Sequence, residues 1–276
     1  MQPTGIVAIL LIIINVIVSI KGFNDRSFFN KYAFNVDKVL LQKDYKVLIT
    51  SGFLHANWGH LIFNMLSLYL FSTGLELYTG PFLYLLIYFA SLLGGDLFTL
   101  IVQRNNGAYT SVGASGAVCG LIFASIALFP GMGVGLFFLP IFIPAWLYGI
   151  IFVLYSLYGV RTQRGNIGHE AHLAGALVGM ITAAALFPDQ ARENIVTILL
   201  IFIPASTLIW IILNKRAFIG TGLFEKKNDN YETIDHRYNM DKHKKQQEMD
   251  RILEKIHRKG MDSLTKKEKD FLNNQR

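Results

Sequence analysis

The sequence predicts an all-α, polytopic membrane helix bundle, and two observations support this fold class. Of the 276 residues, 52% are hydrophobic and only 16% are charged. Apolar runs of about 16 to 27 residues recur between Ile6 and Leu213, long enough to cross a bilayer with some tilt. Because lipid offers no hydrogen bonds to the backbone, runs of this length are expected to be helices.

The apolar runs predict seven spans, joined mostly by short connections. The spans lie at about 5–20, 57–76, 82–103, 113–130, 134–160, 168–188 and 194–214. Gly and Pro mark turns at Tyr78-Thr-Gly-Pro81 and Pro130-Gly-Met-Gly133. The first run lacks a basic segment before it and a small-residue cleavage site, so we interpret it as a retained span rather than a signal peptide. The longer loop at 21–56 carries aromatic residues and is expected to rest on the membrane interface.

Three segments are predicted along the chain. They are a six-helix core at 1–190, an additional transmembrane helix at 191–216 and a basic soluble tail at 217–276. From residue 215 onward the chain holds 16 Lys and Arg against 11 Asp and Glu. We see no aromatic residues alternating with these lysines as nucleic-acid binding would favour, so no nucleic-acid partner is expected.

The tail contains the pattern of a short helical hairpin at 244–275. Thr265-Lys-Lys-Glu268 is a predicted capping box for its second helix. About thirty residues bury little core by themselves, so a docking or regulatory appendage and a weakly structured tail both stay open. A solvated tail and contact with anionic lipid headgroups are also both open.

Four polar side chains interrupt the apolar spans at a common depth. His60 and Asn64 lie near the start of the second span, Ser115 near the start of the fourth and His172 near the start of the sixth. Alternate spans run in the same direction, so all four lie near one membrane face, roughly 5–10 Å deep at the helical rise per residue. Because ionisable groups are costly in lipid, this cluster is a candidate functional site.

Small residues predict close helix packing beside two of these side chains. Gly116 and Gly120 form a GxxxG pattern in the fourth span, and Gly175 and Gly179 form another in the sixth. Such faces let helix backbones approach closely. A single GxxxG is usually ordinary packing, but two of them, each beside a candidate catalytic residue, favour a site built between these spans.

The residue types indicate nucleophilic catalysis. A serine hydroxyl needs a base to take its proton, and His172 is the candidate base for Ser115. Ser115 is expected at a helix start, where free N–H groups favour a developing oxyanion. His60 and Asn64 are one turn apart and share a face, from which both could donate to that oxyanion. Glu170 is expected to point away from His172, so a Ser-His dyad is the more economical interpretation.

Structural explanations stand beside each catalytic one. A serine among small residues is often a packing residue, and a membrane histidine is often a structural hydrogen-bonding group or a proton relay. His55 is expected to hold the loop, and His169 either lines the cavity or faces solvent. Cys119 lies one turn after Ser115, where a small packing residue is a better interpretation than a nucleophile.

At these positions the chain resembles the rhomboid family of intramembrane serine proteases. The matching pieces are His55, His60 and Asn64 at the family's spacing, Gly113-Ala-Ser-Gly116, and His172 followed by Gly175 and Gly179. The resemblance covers about residues 5–188. It implies Ser115 as nucleophile, His172 as general base, and an oxyanion hole made by the Ser115 N–H, His60 and Asn64. The resemblance also implies a supporting role around the catalytic residues for Gly113, Gly116, Gly175, Gly179 and His55.

Further features are similar to particular members of the family. Glu76 matches an acidic position that looks structural, and the seventh span resembles a "six plus one" variant. The tail around Gly260 to Thr265 is similar to short C-terminal modules of rhomboids of the Bacteroidetes type. Two features differ: the first loop lacks the Trp-Arg pair of many relatives, and Cys119 stands where an aromatic ring often stacks on the catalytic histidine.

These features lead to three hypotheses. The first is an intramembrane serine endopeptidase in a bacterial cytoplasmic membrane, which cleaves transmembrane or membrane-proximal segments of membrane proteins and needs no metal or organic cofactor. The second is a catalytically silent rhomboid-like binder or chaperone of membrane proteins. The third is a transporter or proton channel, which predicts polar groups through the full membrane thickness rather than near one face.

The orientation of the bundle stays open. The family's usual arrangement places the active site near the outer face. The positive-inside rule favours the reverse, since the loop at 21–56 holds six Lys and Arg and the tail 16, against Arg192 alone in the opposite loops.

Overall fold

The computed structural model describes residues 5–135, 142–162 and 168–214, together with seven positions of the tail. Those tail positions are Met249, Ile252, Lys255, Ile256, Leu264, Thr265 and Glu268. The chain divides into two compact units, Met1–Glu225 and Lys226–Arg276, which are described separately below.

The helices and strands of the first unit follow one another as follows. The first half contains α1 (Ile6–Asn24), α2 (Arg26–Tyr32), β1 (Phe34–Asn35), α3 (Val36–Leu40), α4 (Val47–Thr50), a 3-10 turn (Ser51–Phe53), α5 (Trp58–Gln103) and β2 (Thr110–Ser111). The second half contains α6 (Ser115–Leu128), β3 (Gly133–Gly135), β4 (Phe142–Pro144), α7 (Ala145–Thr162), α8 (His169–Leu186), α9 (Pro188–Glu193) and α10 (Ile195–Leu213).

Helix α6 lies at the centre of the bundle, packed against α5 and α8. Every residue of α6 from Gly116 to Leu128 is buried. A helix that is apolar on all sides is expected to be enclosed by others, and α6 follows this rule. Around this core, α1 packs on α5, and α10 packs on α7 and α8. The predicted all-α membrane bundle is confirmed, with two short strand pairs added to it.

The long helix α5 is a hairpin of two antiparallel halves, as the predicted turn at Tyr78–Pro81 requires. The backbone leaves the helical conformation at Gly80, with φ 76° and ψ 164°, directly before Pro81. The Ser72 hydroxyl contacts the Tyr84 hydroxyl across the turn. Ser51, just before the first half, contacts Asp96 near the end of the second. A straight helix of this length would extend about 69 Å, so these contacts require a reversal.

Three described helical stretches are long and apolar enough to cross a membrane by themselves. They are Ile6–Asn24, Ile195–Leu213 and Gly74–Gln103, the last of which includes the reversal at Gly80, while Ser115–Leu128 and Ala145–Ser156 are shorter apolar helices. Large hydrophobic side chains are exposed along the outside of α1 and α10, among them Ile6, Ile17, Val196, Ile203 and Trp210. Exposed apolar surface on this scale indicates contact with lipid rather than water.

The fifth span begins later than predicted. Instead of a helix from residue 134, β3 and β4 form an antiparallel pair with Val134 opposite Ile143. Helix α7 then begins at Ala145, directly after Pro144. The glycines at 131, 133 and 135 disfavour a helix there, and β-branched residues favour the strand pair. Hydrophobicity alone did not reveal this boundary.

The loop at 21–56 is an ordered layer that supports the chain before Ser115. Strand β1 pairs with β2, with Phe34 opposite Ser111 and Asn35 opposite Thr110. The Asn35 amide donates to the carbonyl oxygens of Gly107 and Tyr109 at 3.1 and 3.2 Å. A small apolar cluster holds the layer together, formed by Phe34, Val36, Val39, Val47 and Leu48. The sequence predicts the loop but not its strand pair.

In the second unit, the predicted capping box is confirmed. Glu268 Oε2 accepts from the Thr265 backbone N–H at 2.7 Å, and the Glu268 N–H donates to Thr265 Oγ1 at 3.4 Å. Lys255 also donates to Glu268, at 2.7 and 3.0 Å. Ile252 and Leu264 are buried. The bounds predicted for the hairpin, 244–275, lie mostly outside the described residues.

Candidate active site

Ser115 and His172 come together at the starts of two neighbouring helices. Ser115 is the first residue of α6, and His172 lies in the first turn of α8. Ser115 Oγ is 2.6 Å from His172 Nε2, although the two residues are 57 positions apart in the chain. This distance is a hydrogen bond, the geometry that a nucleophile and its base require.

The two GxxxG patterns form a single seam between α6 and α8. A Cβ atom added at Gly120 would lie 2.9 Å from the Gly175 carbonyl oxygen. Added at Gly175, it would overlap the Gly116 carbonyl group, and at Gly179 it would overlap Gly120. The predicted close approach is confirmed, and it explains how two short side chains on different helices reach each other.

The length of α6 is consistent with the predicted depth of the site. Its 14 residues span about 21 Å, less than the roughly 30 Å of a bilayer's hydrocarbon core. Non-helical backbone must therefore enter the membrane at one end or both. Such backbone is tolerated where protein encloses it or where it lines a water-filled cavity, and Ala114 just before the helix is fully buried.

His60 lies beside the backbone that precedes Ser115. Its own N–H is capped by Asn57 Oδ1 at 2.9 Å, in the first turn of α5. A Cβ atom at Gly113 would lie 2.7 Å from His60 Cε1 and 3.5 Å from Ser115 Oγ. Gly113 also has φ 134°, a conformation that residues with a Cβ rarely adopt. Glycine is therefore required twice at this position, by the backbone and by the His60 ring.

Asn64 lies one turn after His60 on the same helix, as predicted. Its Nδ2 donates to the His60 carbonyl oxygen at 2.9 Å. An amide group carries two hydrogens, so one of them remains for a further acceptor. The predicted contribution to an oxyanion hole depends on that second hydrogen.

The predicted separation of Glu170 from His172 is consistent with its contacts. Glu170 Oε1 accepts from Gln103 Nε2 at 3.2 Å. His169 is 5% exposed, so the alternative in which it faces solvent is wrong. Its ring lies 5.3 Å from Tyr155 and 6.3 Å from His172, measured between centroids. Tyr155 was not predicted, because nothing in the sequence separates it from the other tyrosines of α7.

Cys119 is a free, buried thiol within the apolar core cluster, as expected of a packing residue. His55 holds the loop at the start of α5: the Ser19 hydroxyl lies 2.8 Å from His55 Nδ1 and donates to the Phe53 carbonyl at 3.1 Å. The His55 ring also meets His60 edge-on at 5.0 Å. Ser19 was not predicted, because in the sequence it looks like an ordinary small residue of α1.

Glu76 stabilises the start of α1, at the opposite end of the bundle. Its carboxylate accepts from the backbone N–H groups of Val7 and Ala8, both at 2.9 Å. Acidic groups are favoured at a helix N-terminus, where N–H groups lack partners. The predicted structural role of Glu76 is confirmed. Among the residues that the structure describes, no group of three or more His, Cys, Asp or Glu side chains could hold a metal ion.

Fold and site together define a multi-pass membrane helix bundle with a serine and a histidine paired in its interior. Residues 42–189, more than half of the chain, match the Rhomboid domain. The chain belongs to the rhomboid family. Residues 232–275 match a separate family of unknown function, DUF6576.

Curated relatives share this domain at moderate identity. RHOMBOID-like protein 12, mitochondrial, of Arabidopsis thaliana is 33% identical over 193 residues, which are 64% of this chain and 56% of the relative. Rhomboid protein 1, mitochondrial, of Saccharomyces cerevisiae is 33% identical over 150 residues, 52% of this chain and 43% of the relative. Rhomboid protease AarA of Providencia stuartii is 26% identical over 219 residues, which are 72% of this chain and 76% of the relative. The chain spans about half the length of the two mitochondrial relatives.

Proposed function

We propose that this protein is an intramembrane serine endopeptidase that uses a Ser115–His172 dyad. The observation that carries the proposal is the 2.6 Å contact between Ser115 Oγ and His172 Nε2 at the starts of two buried helices. A packing serine or a structural histidine would not require this pairing beside a non-helical, glycine-dependent segment. The likeness to a named rhomboid protease supports the same reaction class.

The geometry supports a two-step reaction. His172 takes the Ser115 proton as the oxygen attacks the scissile carbonyl, and then gives that proton to the leaving amine. A water molecule hydrolyses the resulting acyl-enzyme, again with His172 as base. The negative oxygen in each tetrahedral intermediate faces the N-terminus of α6, where the Ser115 N–H donates to it. His60 and the second amide hydrogen of Asn64 are the proposed further donors.

The remaining predicted residues support this arrangement from outside the reaction. Gly175 and Gly179 allow the approach of α6 and α8, the Gly116 backbone faces Gly175, and Gly113 leaves room for the His60 ring. His55 contacts His60 at its edge. We assign the protease core to residues 1–190, the additional transmembrane helix to 191–216 and the basic tail to 217–276.

The proposed substrates are transmembrane or membrane-proximal segments of other membrane proteins. An extended backbone must reach a serine beneath the membrane surface, so small or helix-weakening residues are expected near the cleaved bond. We propose a bacterial cytoplasmic membrane as the location, because the tail is similar to modules of Bacteroidetes-type rhomboids. A catalytically silent binder is the alternative, but it would have no use for the serine–histidine contact.

The test compares four forms of the purified protein with a fluorophosphonate probe and with a model transmembrane substrate. Ser115→Ala and His172→Ala are expected to lose labelling and cleavage by at least about 10³-fold. Ser125→Ala is the matched control, since its buried hydroxyl lies in α6 but donates to the Leu121 carbonyl at 2.9 Å. Absence of both activities in well-folded wild type would contradict the proposal and favour the silent binder.

A further inference from the structure

A buried carboxyl group outside the dyad is linked to the site by hydrogen bonds. Asp96 lies in the second half of α5 and is 8% exposed. Its Oδ2 accepts from the Ser51 hydroxyl at 3.0 Å. An ionisable side chain in an apolar bundle is destabilising unless a function or a partner retains it. The dyad mechanism gives Asp96 no part, so its contacts need a separate explanation.

Ser51 connects Asp96 to the segment before the nucleophile. Ser51 is 2% exposed and begins the 3-10 turn that follows α4. Its carbonyl oxygen accepts from the Gly113 N–H at 3.0 Å. Gly113 is two residues before Ser115 and lies against the His60 ring. A continuous path therefore runs from the Asp96 carboxyl through Ser51 to the backbone beside both Ser115 and His60.

The segment between α5 and α6 is held at two points. Its outer part is held by the β1–β2 pair and by Asn35, which contacts the carbonyls of Gly107 and Tyr109. Its inner end, next to the dyad, is held by the bond from Gly113 to Ser51. Ser51 itself is fixed by Asp96 on the buried side, while Thr50 donates to the Tyr32 carbonyl at 2.9 Å on the outer side.

We propose that Asp96 is a positioning residue for the protease reaction: through Ser51 it holds Gly113, and so sets Ser115 relative to His60. This inference rests on the proposed function. A displacement of about 1 Å in a reacting group costs up to about 100-fold in rate. Loss of one remote hydrogen bond is expected to have a smaller effect, about tenfold, concentrated in the chemical step.

The chain offers a conservative variant and a matched control. Asp96→Asn keeps an oxygen that accepts from the Ser51 hydroxyl, whereas Asp96→Leu removes the acceptor and keeps the number and branching of the side-chain heavy atoms. Ser51→Ala removes the donor from the other side. Thr99 lies one turn beyond Asp96 and is fully buried, but its hydroxyl donates to the Gly95 carbonyl of its own helix at 3.0 Å. Thr99→Val therefore removes a buried polar group without touching the path.

The experiment measures fluorophosphonate labelling rates, kcat and KM for a model transmembrane substrate, and thermal melting of the full-length protein. Asp96→Leu and Ser51→Ala are expected to lower labelling and kcat about tenfold, with KM changed less than about twofold. The double variant should lose no more than either single one, because both break the same path. Asp96→Asn should keep most of the activity, and Thr99→Val should match wild type.

Three results would overturn the positioning role. The first is a wild-type labelling rate in Asp96→Leu. The second is an equal loss of labelling and kcat in Asp96→Leu and Asp96→Asn. The third is a loss of activity in Thr99→Val as large as in Asp96→Leu, with the same fall in melting temperature. Wild type without labelling or cleavage would instead contradict the proposed function, and the positioning role would fall with it. If wild type is active and the Ser51→Ala and Asp96→Leu variants are equally active, the positioning role is contradicted but the proposed function is not.

Discussion

The two ends of the helix bundle use buried polar side chains in different ways. At the end that holds Ser115, polar side chains contact one another across elements, as in the Ser115–His172 and Ser51–Asp96 pairs. At the opposite end, Glu76 accepts from two backbone N–H groups that begin α1. In the proposed function, the first arrangement positions reactive groups, whereas the Glu76 contacts satisfy the backbone. Changes at the two ends should therefore separate loss of chemistry from loss of stability.

After loss of the dyad itself, the largest effect is expected at the glycine seam, one turn from His172. Gly175→Val places side-chain atoms against the Gly116 carbonyl group, which belongs to backbone and cannot move aside cheaply. Separation of α6 from α8 would pull Ser115 away from His172, and overpacking of this kind also destabilises by about 1–3 kcal/mol or more. We expect the rate of labelling by the fluorophosphonate probe to fall at least about 100-fold, and the melting temperature to fall as well.

Gly74→Val is the matched control for that substitution. Gly74 is an exposed helical glycine, and a Cβ atom there would have nothing within 4 Å. It should label and melt like wild type. Equal losses in the two variants would mean that valine harms α-helices here for reasons unrelated to the seam.

A smaller and purely structural effect is expected at the opposite end. Glu76→Ala leaves the first N–H groups of α1 without their acceptor, in a position that is 6% exposed. Loss of a helix N-cap costs about 0.5–2 kcal/mol. Melting in detergent should show this loss, while kcat per folded molecule stays within about twofold of wild type. Glu193→Ala serves as control, because that carboxylate is exposed. A fall in kcat without a fall in melting would show that the two ends are coupled.

Sequence reasoning predicted the parts of the site that follow from periodicity and direction. Because alternate spans run in the same direction, His60, Ser115 and His172 were predicted near one membrane face. The two GxxxG patterns predicted the close packing of α6 against α8. The Ser51–Asp96 contact could not be predicted, because it depends on how a loop folds onto the α5 hairpin. Hydrogen bonds between a loop and a helix 45 residues away leave no periodic signal.

Errors arose where the prediction relied on apolar composition and gave too little weight to local propensity. The region from β3 to the start of α7 is apolar throughout, so a helix and a strand pair look alike in it. His169 was left between cavity and solvent, because its surroundings come from Tyr155 on another helix. In the tail, by contrast, the capping box at Thr265 and Glu268 was predicted from four residues, since its hydrogen bonds are local.

The smallest effect concerns the tail, where a charged contact sets a pH dependence. The Lys255 ammonium, followed by the N–H and hydroxyl of Thr265, lowers the pKa of Glu268 from 4.5 to about 2. Because the folded pKa is depressed, the ionised carboxylate stabilises the folded tail above about pH 4.5, and this contribution is lost as pH falls toward about 2.

The direct measurement is a carboxyl-carbon NMR titration of Glu268 in the full-length protein held in nanodiscs. Its midpoint should lie near 2, and Lys255→Met should raise it more than Thr265→Ala does, since the lysine is the largest cause. A wild-type midpoint near 4.5 would show that the contact does not persist in solution.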